Sequence, residues 1–182
     1  MSSIRIEPLL PSSETVAMLA EMLVETVAAG GSVSFMHPLD LHCAAAFWEQ
    51  SLGAAARGER LMLGAWDGAV LAGTVTVLLD FPPNQPHRAE IAKLMTRVNW
   101  RGRGVAAALM REAEARAATC GKTLLVLDTA AEGGAAGLYE AIGYTLAGAI
   151  PDFALKPHGG LTGTMLYWKR IGVAAAGQAS GM

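Results

Sequence analysis

Residues Arg101-Gly102-Arg103-Gly104 constrain this chain more than any other stretch, because they lie between an apolar run, Ala89 to Thr96, and an alanine-rich segment of helical composition from about Gly104 to Cys120. Glycines at a strand-to-helix junction admit a sharp backbone turn, and the N–H groups left unpaired there point, with the positive end of the helix dipole, at an anion. Arg101 and Arg103 add charge at the same place. The expected element is a phosphate-binding turn.

The residues after the glycines separate the ligands such a turn serves. A P-loop needs a lysine and then a hydroxyl residue after its last glycine, whereas Val105 and Ala106 come after Gly104. A dinucleotide fingerprint, G-x-G-x-x-G/A, is matched by Gly102, Gly104 and Ala107, and Asp128 falls near the place of a ribose-binding carboxylate. Against that reading, the turn lies past the middle of the 182 residues and leaves too little chain for the rest of a doubly wound sheet.

A third pattern, R-x-x-G-x-G/A, is met by Arg101, Gly104 and Ala106. It resembles the pyrophosphate loop of the GNAT-type N-acetyltransferase superfamily, and the resemblance reaches further. Glu90-Ile91-Ala92-Lys93-Leu94-Met95-Thr96 is similar to the strand before that loop, and Leu138-Tyr139-Glu140-Ala141-Ile142-Gly143-Tyr144 to the family's L-Y-E-x-x-G-[FY] helix end. The likeness spans about Ile4 to Ile171. It implies an α/β fold with a mixed, mainly antiparallel sheet of six to seven strands flanked by about four helices.

Local signals agree with that order of elements. Ile4 and Ile6 suit a first strand, Pro11-Ser12-Ser13-Glu14 signals a helix start, and the helix should run to about Ala28 before Gly30 and Gly31. A second helix, from Leu39 or Asp40 to about Arg57, puts Ala44, Phe47, Trp48 and Leu52 on one face. Asp67-Gly68 predicts a hairpin between Leu61–Trp66 and Val70–Leu79. Thr123 to Leu127 reads as a buried strand, Gly134 to Ile142 as a helix, and Tyr144–Ile150 and Met165–Arg170 as closing strands. Gly30–Pro38 and Pro151–Thr164 are left as long loops able to line a pocket. Residues 1–171 are expected to form one domain and 172–182 a flexible tail.

The resemblance implies acetyl-CoA as cosubstrate and acetyl transfer to an amine. Its pyrophosphate would rest on Gly102, Arg103, Gly104, Val105, Ala106 and Ala107 beside Arg101, and its pantetheine arm would pair with the backbone of Leu94, Met95 and Thr96. Glu90 stands where the family often carries a general base, Tyr139 matches the tyrosine that serves the departing sulfur, and Asp128 would bind the ammonium or assist the base. Each has a plainer reading: a solvated strand carboxylate, a packed aromatic, and a turn or capping aspartate. Ser32 and Phe35 in the first loop, Asp128, and His158 in Lys156-Pro157-His158-Gly159-Gly160 are the substrate-side candidates. A narrower likeness, through Glu25-Thr26-Val27, Ser32-Val33, Phe35-Met36 and Leu39-Asp40, is to family members that inactivate an amino-acid-like toxin. Ala106 in place of glycine and the segment Ala130–Ala136 depart from that narrower pattern.

Composition bounds the partners. Net charge is −2, so nothing draws the whole chain to nucleic acid or to an anionic membrane, and basic character is confined to Arg97–Arg103. No stretch is long and apolar enough to span a bilayer, and Met1–Leu10 lacks the apolar run of a secretory signal. Cys43 and Cys120 are too few for a disulfide scaffold and are expected in the core of a cytoplasmic protein. His37, His42, His87 and His158 show no ligand spacing, so no metal is expected. The expected partner is a small-molecule amine, with a homodimer open as an assembly; the alternatives are acetylation of a protein or peptide amine and a noncatalytic acyl-CoA-binding module.

Overall fold

The computed structural model describes residues 4–133 and 135–172. The tail expected beyond Gly172 and the helix start expected at Gly134 lie outside them. The element order is β1 (Arg5–Pro8), α1 (Ser13–Ala28), α2 (Leu41–Ala56), β2 (Arg60–Asp67), β3 (Val70–Leu78), β4 (Arg88–Thr96), α3 (Val105–Thr119), β5 (Leu124–Ala130), α4 (Ala136–Ala141), β6 (Thr145–Leu155) and β7 (Leu161–Arg170).

The strands form one seven-stranded sheet in the order β1-β2-β3-β4-β5-β7-β6. Among the described residues, only the pairing of β4 with β5 is parallel. That arrangement is the expected mixed α/β fold with four α-helices, and it is incompatible with the doubly wound sheet that a dinucleotide fingerprint requires.

Helices cover both faces. On one, Val105, Leu109, Met110, Ala113 and Ala117 of α3 pack on Leu63, Val75, Val77, Ala89 and Ile91. On the other, Leu19, Met22, Leu23 and Val27 of α1 join Ala44, Trp48 and Leu52 of α2 over Met62, Leu71 and Met95. Burial on two faces explains why β3 reads as an almost continuous apolar run rather than an alternating one. Small residues let the layers close: a Cβ on Gly73 would lie 2.8 Å from the Met95 carbonyl and 3.0 Å from a Val105 methyl. The Asp67–Val70 pairing brackets the expected hairpin turn, with Gly68 at φ 62°.

Two expectations need correction. Pro151–Thr164 is not a loop: β6 runs on to Leu155 and β7 begins at Leu161, leaving only residues 156–160 as a connection. The pairing absorbs Pro151 and Asp152 in an irregularity between Ile150 and Ala154, which is how an edge strand tolerates a proline. Cys43 and Cys120 are exposed rather than core, since one lies in the first turn of α2 and the other caps the end of α3. Among the described residues no helix is long and apolar enough to cross a membrane.

Candidate active site

The central parallel pairing is short. It runs through Arg88↔Leu124, Ala89↔Leu125 and Glu90↔Val126 and ends there. Beyond it β4 stays with β3 as far as Gly73↔Thr96, while β5 accompanies β7 to Ala130↔Thr164. The two strands therefore part in the middle of the sheet, and a cavity of about 590 Å³ opens between them. Its walls include Leu94, Met95 and Thr96 on one arm, Asp128, Thr129 and Ala130 on the other, and Tyr139 of α4. Between Ala92 and Met95 β4 carries one residue more than its partner β3, a bulge that holds Lys93 at φ 51°.

At one end of the cavity the glycine turn forms a cradle suited to an anion. The N-termini of α1 and α2 are satisfied by side chains, Ser12 accepting from Thr15 N at 3.0 Å and Asp40 from His42 N at 2.8 Å. The N-terminus of α3 is capped by Gly104, at φ 79°, with no side-chain hydrogen bond. The first N–H of that helix to reach a backbone acceptor is Ala108's, on Gly104 O at 3.0 Å. The amides of Val105, Ala106 and Ala107 are thus free for a ligand. Gly102, at φ 73°, and Gly104 have open space where a Cβ would project. Arg101 and Ala106 line the cavity, and Arg101 is steadied by a 3.3 Å bond from Nε to Thr96 O. On the side facing β5 the backbone of Leu94–Thr96 lacks a strand partner, and Thr96 Oγ1 is buried with no hydrogen bond. These features fit a phosphate-bearing ligand whose extended arm runs along β4.

Tyr139 is buried, its ring 5.9 Å from those of Tyr144 and Tyr167. Burial, reinforced by the negative charge of Asp128, pushes its phenol up to about 12. It is a neutral hydrogen-bond donor at any physiological pH. Asp128 lies on the cavity wall within β5, exposed, where its Oδ2 accepts from Thr164 Oγ1 at 3.0 Å. It is neither a turn nor a capping residue.

The other candidates are placed differently. Glu90 sits at the vertex where the strands part and does not line the cavity; its carboxylate is 3.2 Å from Arg88 Nη1. Ser32 lines the cavity. Phe35 stands behind the wall, ring to ring with Phe47 at 5.1 Å. His158 Nε2 contacts Ala28 O at 3.0 Å and its ring lies 4.5 Å from that of His37, while His37 N donates to Pro157 O at 2.9 Å. His158 thus ties the β6–β7 connection to the end of α1 and to His37, and it does not line the cavity. Among the described residues no group of three or more His, Cys, Asp or Glu side chains is placed to hold a metal.

No motif in the sequence assigns a role to Lys93. It lines the cavity, donates to Ser34 Oγ at 3.0 Å, and stands 5.8 Å and 5.7 Å from the ring centres of Phe35 and Phe47. Burial lowers its pKa, against the opposing field of Asp128. A signal exists all the same. Strict alternation from Ala89 and Ile91 would place Lys93 in the core, so a lysine there demands a bulge.

A family model described as acetyltransferase (GNAT) family matches residues 31–144. Solved structures share the fold. The N-acetyltransferase from Staphylococcus aureus superposes with a TM-score of 0.75 at 15% identity, over 92% of this chain and 99% of that one. The ribosomal-protein-alanine N-acetyltransferase from Brucella melitensis gives 0.76 at 18% identity, over 91% and 99%. A Salmonella typhimurium structure containing its cofactor acetyl-CoA gives 0.73 at 16% identity, over 96% and 99%.

Proposed function

The chain belongs to the GNAT acetyltransferase family, and from that membership we propose that it transfers an acetyl group from acetyl-CoA to the amine of a small molecule, by direct attack in a ternary complex. The observation that carries the reading is one cavity holding at one end a helix N-terminus with no side-chain cap, and Asp128 with Tyr139 on its walls. Acetyl-CoA would supply an activated thioester. The amides of residues 105–107 and Arg101 would hold its phosphates, and the backbone of Leu94–Thr96 would align its arm. Asp128 would receive the acceptor's ammonium and take up its proton. Tyr139 would donate a hydrogen bond to the sulfur as the carbon–sulfur bond breaks. Asp128 is assigned the base role ahead of Glu90 because Glu90 is held by Arg88 outside the cavity.

A cavity of about 590 Å³ lies within the size range of small-molecule sites, which supports a small acceptor over a peptide. The narrower sequence likeness, to tabtoxin resistance protein, supports an amino-acid-like toxin or antibiotic as the acceptor. A cytoplasmic location and a homodimer belong to the same proposal.

Thermal unfolding with acetyl-CoA, free CoA and NADPH in parallel tests it, since a ligand selective for the folded state raises the midpoint. Stabilisation by either coenzyme A form, followed by amine-dependent thiol release, is the expected result. A response to NADPH alone, or coenzyme binding with no thiol release across an amine panel, overturns it.

A further inference from the structure

Among the described residues, five charged side chains line the cavity: Lys93, Arg101, Asp128, Glu132 and Lys156. Glu132 and Lys156 neutralise each other at 2.7 Å, and Arg101 stands by the glycine turn, bonded to Thr96 O. Two opposite charges remain, on the two arms of the splay. Lys93 is in none of the ion pairs found among the described residues. It is near enough to Asp128 for the carboxylate's field to oppose the effect of burial on its pKa.

The backbone shows that this placement is specific. Among the described residues, Lys93 (φ 51°) and Ser34 (φ 71°) are two of the three non-glycine residues with positive φ, and they are bonded to each other. Strained conformations persist where the surroundings over-determine them, and they gather at ligand clamps. Phe35 and Phe47 face the ammonium and limit its directions of reach.

We infer that Lys93, with the Ser34 hydroxyl beside it, anchors a carboxylate of the acceptor while Asp128 on the facing arm takes its ammonium, so that the acceptor is an α-amino-acid-like zwitterion. The inference rests on the acyl-transfer reading above and deepens it. A zwitterion inserted between the two arms pairs both charges at about 2.8 Å each. A simple amine leaves Lys93 without a counter-ion, and a polyamine is repelled by it. A peptide N-terminus carries no carboxylate beside its amine.

The test compares the twenty common L-amino acids with their carboxamides in two readouts: thiol release from acetyl-CoA, and the shift in unfolding midpoint with free CoA present. The expected result is that at least one acid outperforms its amide by about tenfold or more in kcat/KM. Lys93→Met should abolish that preference by raising KM for the acid alone, and Lys93→Arg should restore part of it. Ser34→Ala, which keeps the charge, should reduce the preference without abolishing it, and guards against a Lys93→Met protein that does not fold. Equal acetylation of acids and amides, or a preference that survives Lys93→Met, overturns the carboxylate anchor and leaves acetyl transfer standing. Acid-specific, Lys93-dependent stabilisation without thiol release upholds the anchor and overturns acetyl transfer. No acid active in either readout overturns the anchor.

Discussion

Replacing Tyr139 by Phe separates two jobs that a tyrosine near a leaving thiolate can perform. A free cysteine-like thiol has a pKa of about 8.5, whereas burial and Asp128 push Tyr139 up to about 12. Full proton transfer from phenol to thiolate is then uphill by about 3.5 pH units, or about 5 kcal/mol. A hydrogen bond from an intact phenol to the developing charge carries no such penalty. Bonds to charged acceptors contribute about 1.5–3 kcal/mol, so Tyr139→Phe should lower kcat by about 10- to 150-fold. The KM for acetyl-CoA should change little, because the lost interaction strengthens only as charge builds on sulfur. The ring keeps its contacts with Tyr144 and Tyr167, so the unfolding midpoint should move little. Steady-state thiol release measured from about pH 6 to about pH 10 decides the matter. A phenol neutral to about 12 contributes no basic limb in that window. Unchanged kcat, or a basic limb near the ordinary tyrosine pKa that disappears in the variant, would refute this account.

The same geometry makes further perturbations informative. Gly104→Ala places a Cβ in open space at φ 79°, so its cost is purely conformational, about 1–2 kcal/mol, and it should weaken coenzyme binding, read by calorimetry, with a modest fall in midpoint. Gly73→Ala drives a Cβ to 2.8 Å from the Met95 carbonyl; overpacking of about 1–3 kcal/mol should lower the midpoint and distort β4 enough to raise the KM for acetyl-CoA. Asp128→Asn should reduce kcat/KM for the amine by about 100-fold or more, whereas Glu90→Gln should stay within a few-fold of the parent enzyme in the same assay. Lys93→Met bears on stability as well as specificity. Its folded pKa is lowered by burial, so the linked stability is present above the unfolded pKa and lost as pH falls through the folded value. At neutral pH the charged lysine is therefore a cost, and the variant should unfold at a higher temperature there, with the gain shrinking above about pH 10.

The architecture is legible in the sequence because its signals are local. Ser12 and Asp40 announce their helices, Asp67-Gly68 its hairpin, and the glycine turn its strand and helix, each through groups within a few residues. Asp128 and Tyr139 are candidates through motif resemblance alone, and both line the cavity. The features hidden from the sequence depend on pairing between distant segments. The place of Glu90 off the cavity wall is set by where the β4–β5 ladder ends, and nothing near Glu90 in the chain encodes that point. The extension of β6 through Pro151 depends on what β7 offers across the strand. His158 reads as a loop residue free to meet substrate because its partners, Ala28 and His37, lie more than a hundred residues earlier. Lys93 is inconspicuous because its importance comes from a bulge, and a bulge is a property of two strands.

The parting of β4 from β5 gives this sheet a third boundary. The outer boundaries, at β1 and β6, face solvent and are open to another chain. The inner one lies within the cavity, beside Tyr139 of α4 and Arg101 and Ala106 of the glycine turn, where a single extended ligand arm can lie against its unpaired backbone. A ligand that threads it finishes the sheet from within. Amide hydrogen exchange at residues 94–96 should then report occupancy directly, slowing when the thread is in place and recovering when it leaves, while the outer strands exchange at unchanged rates.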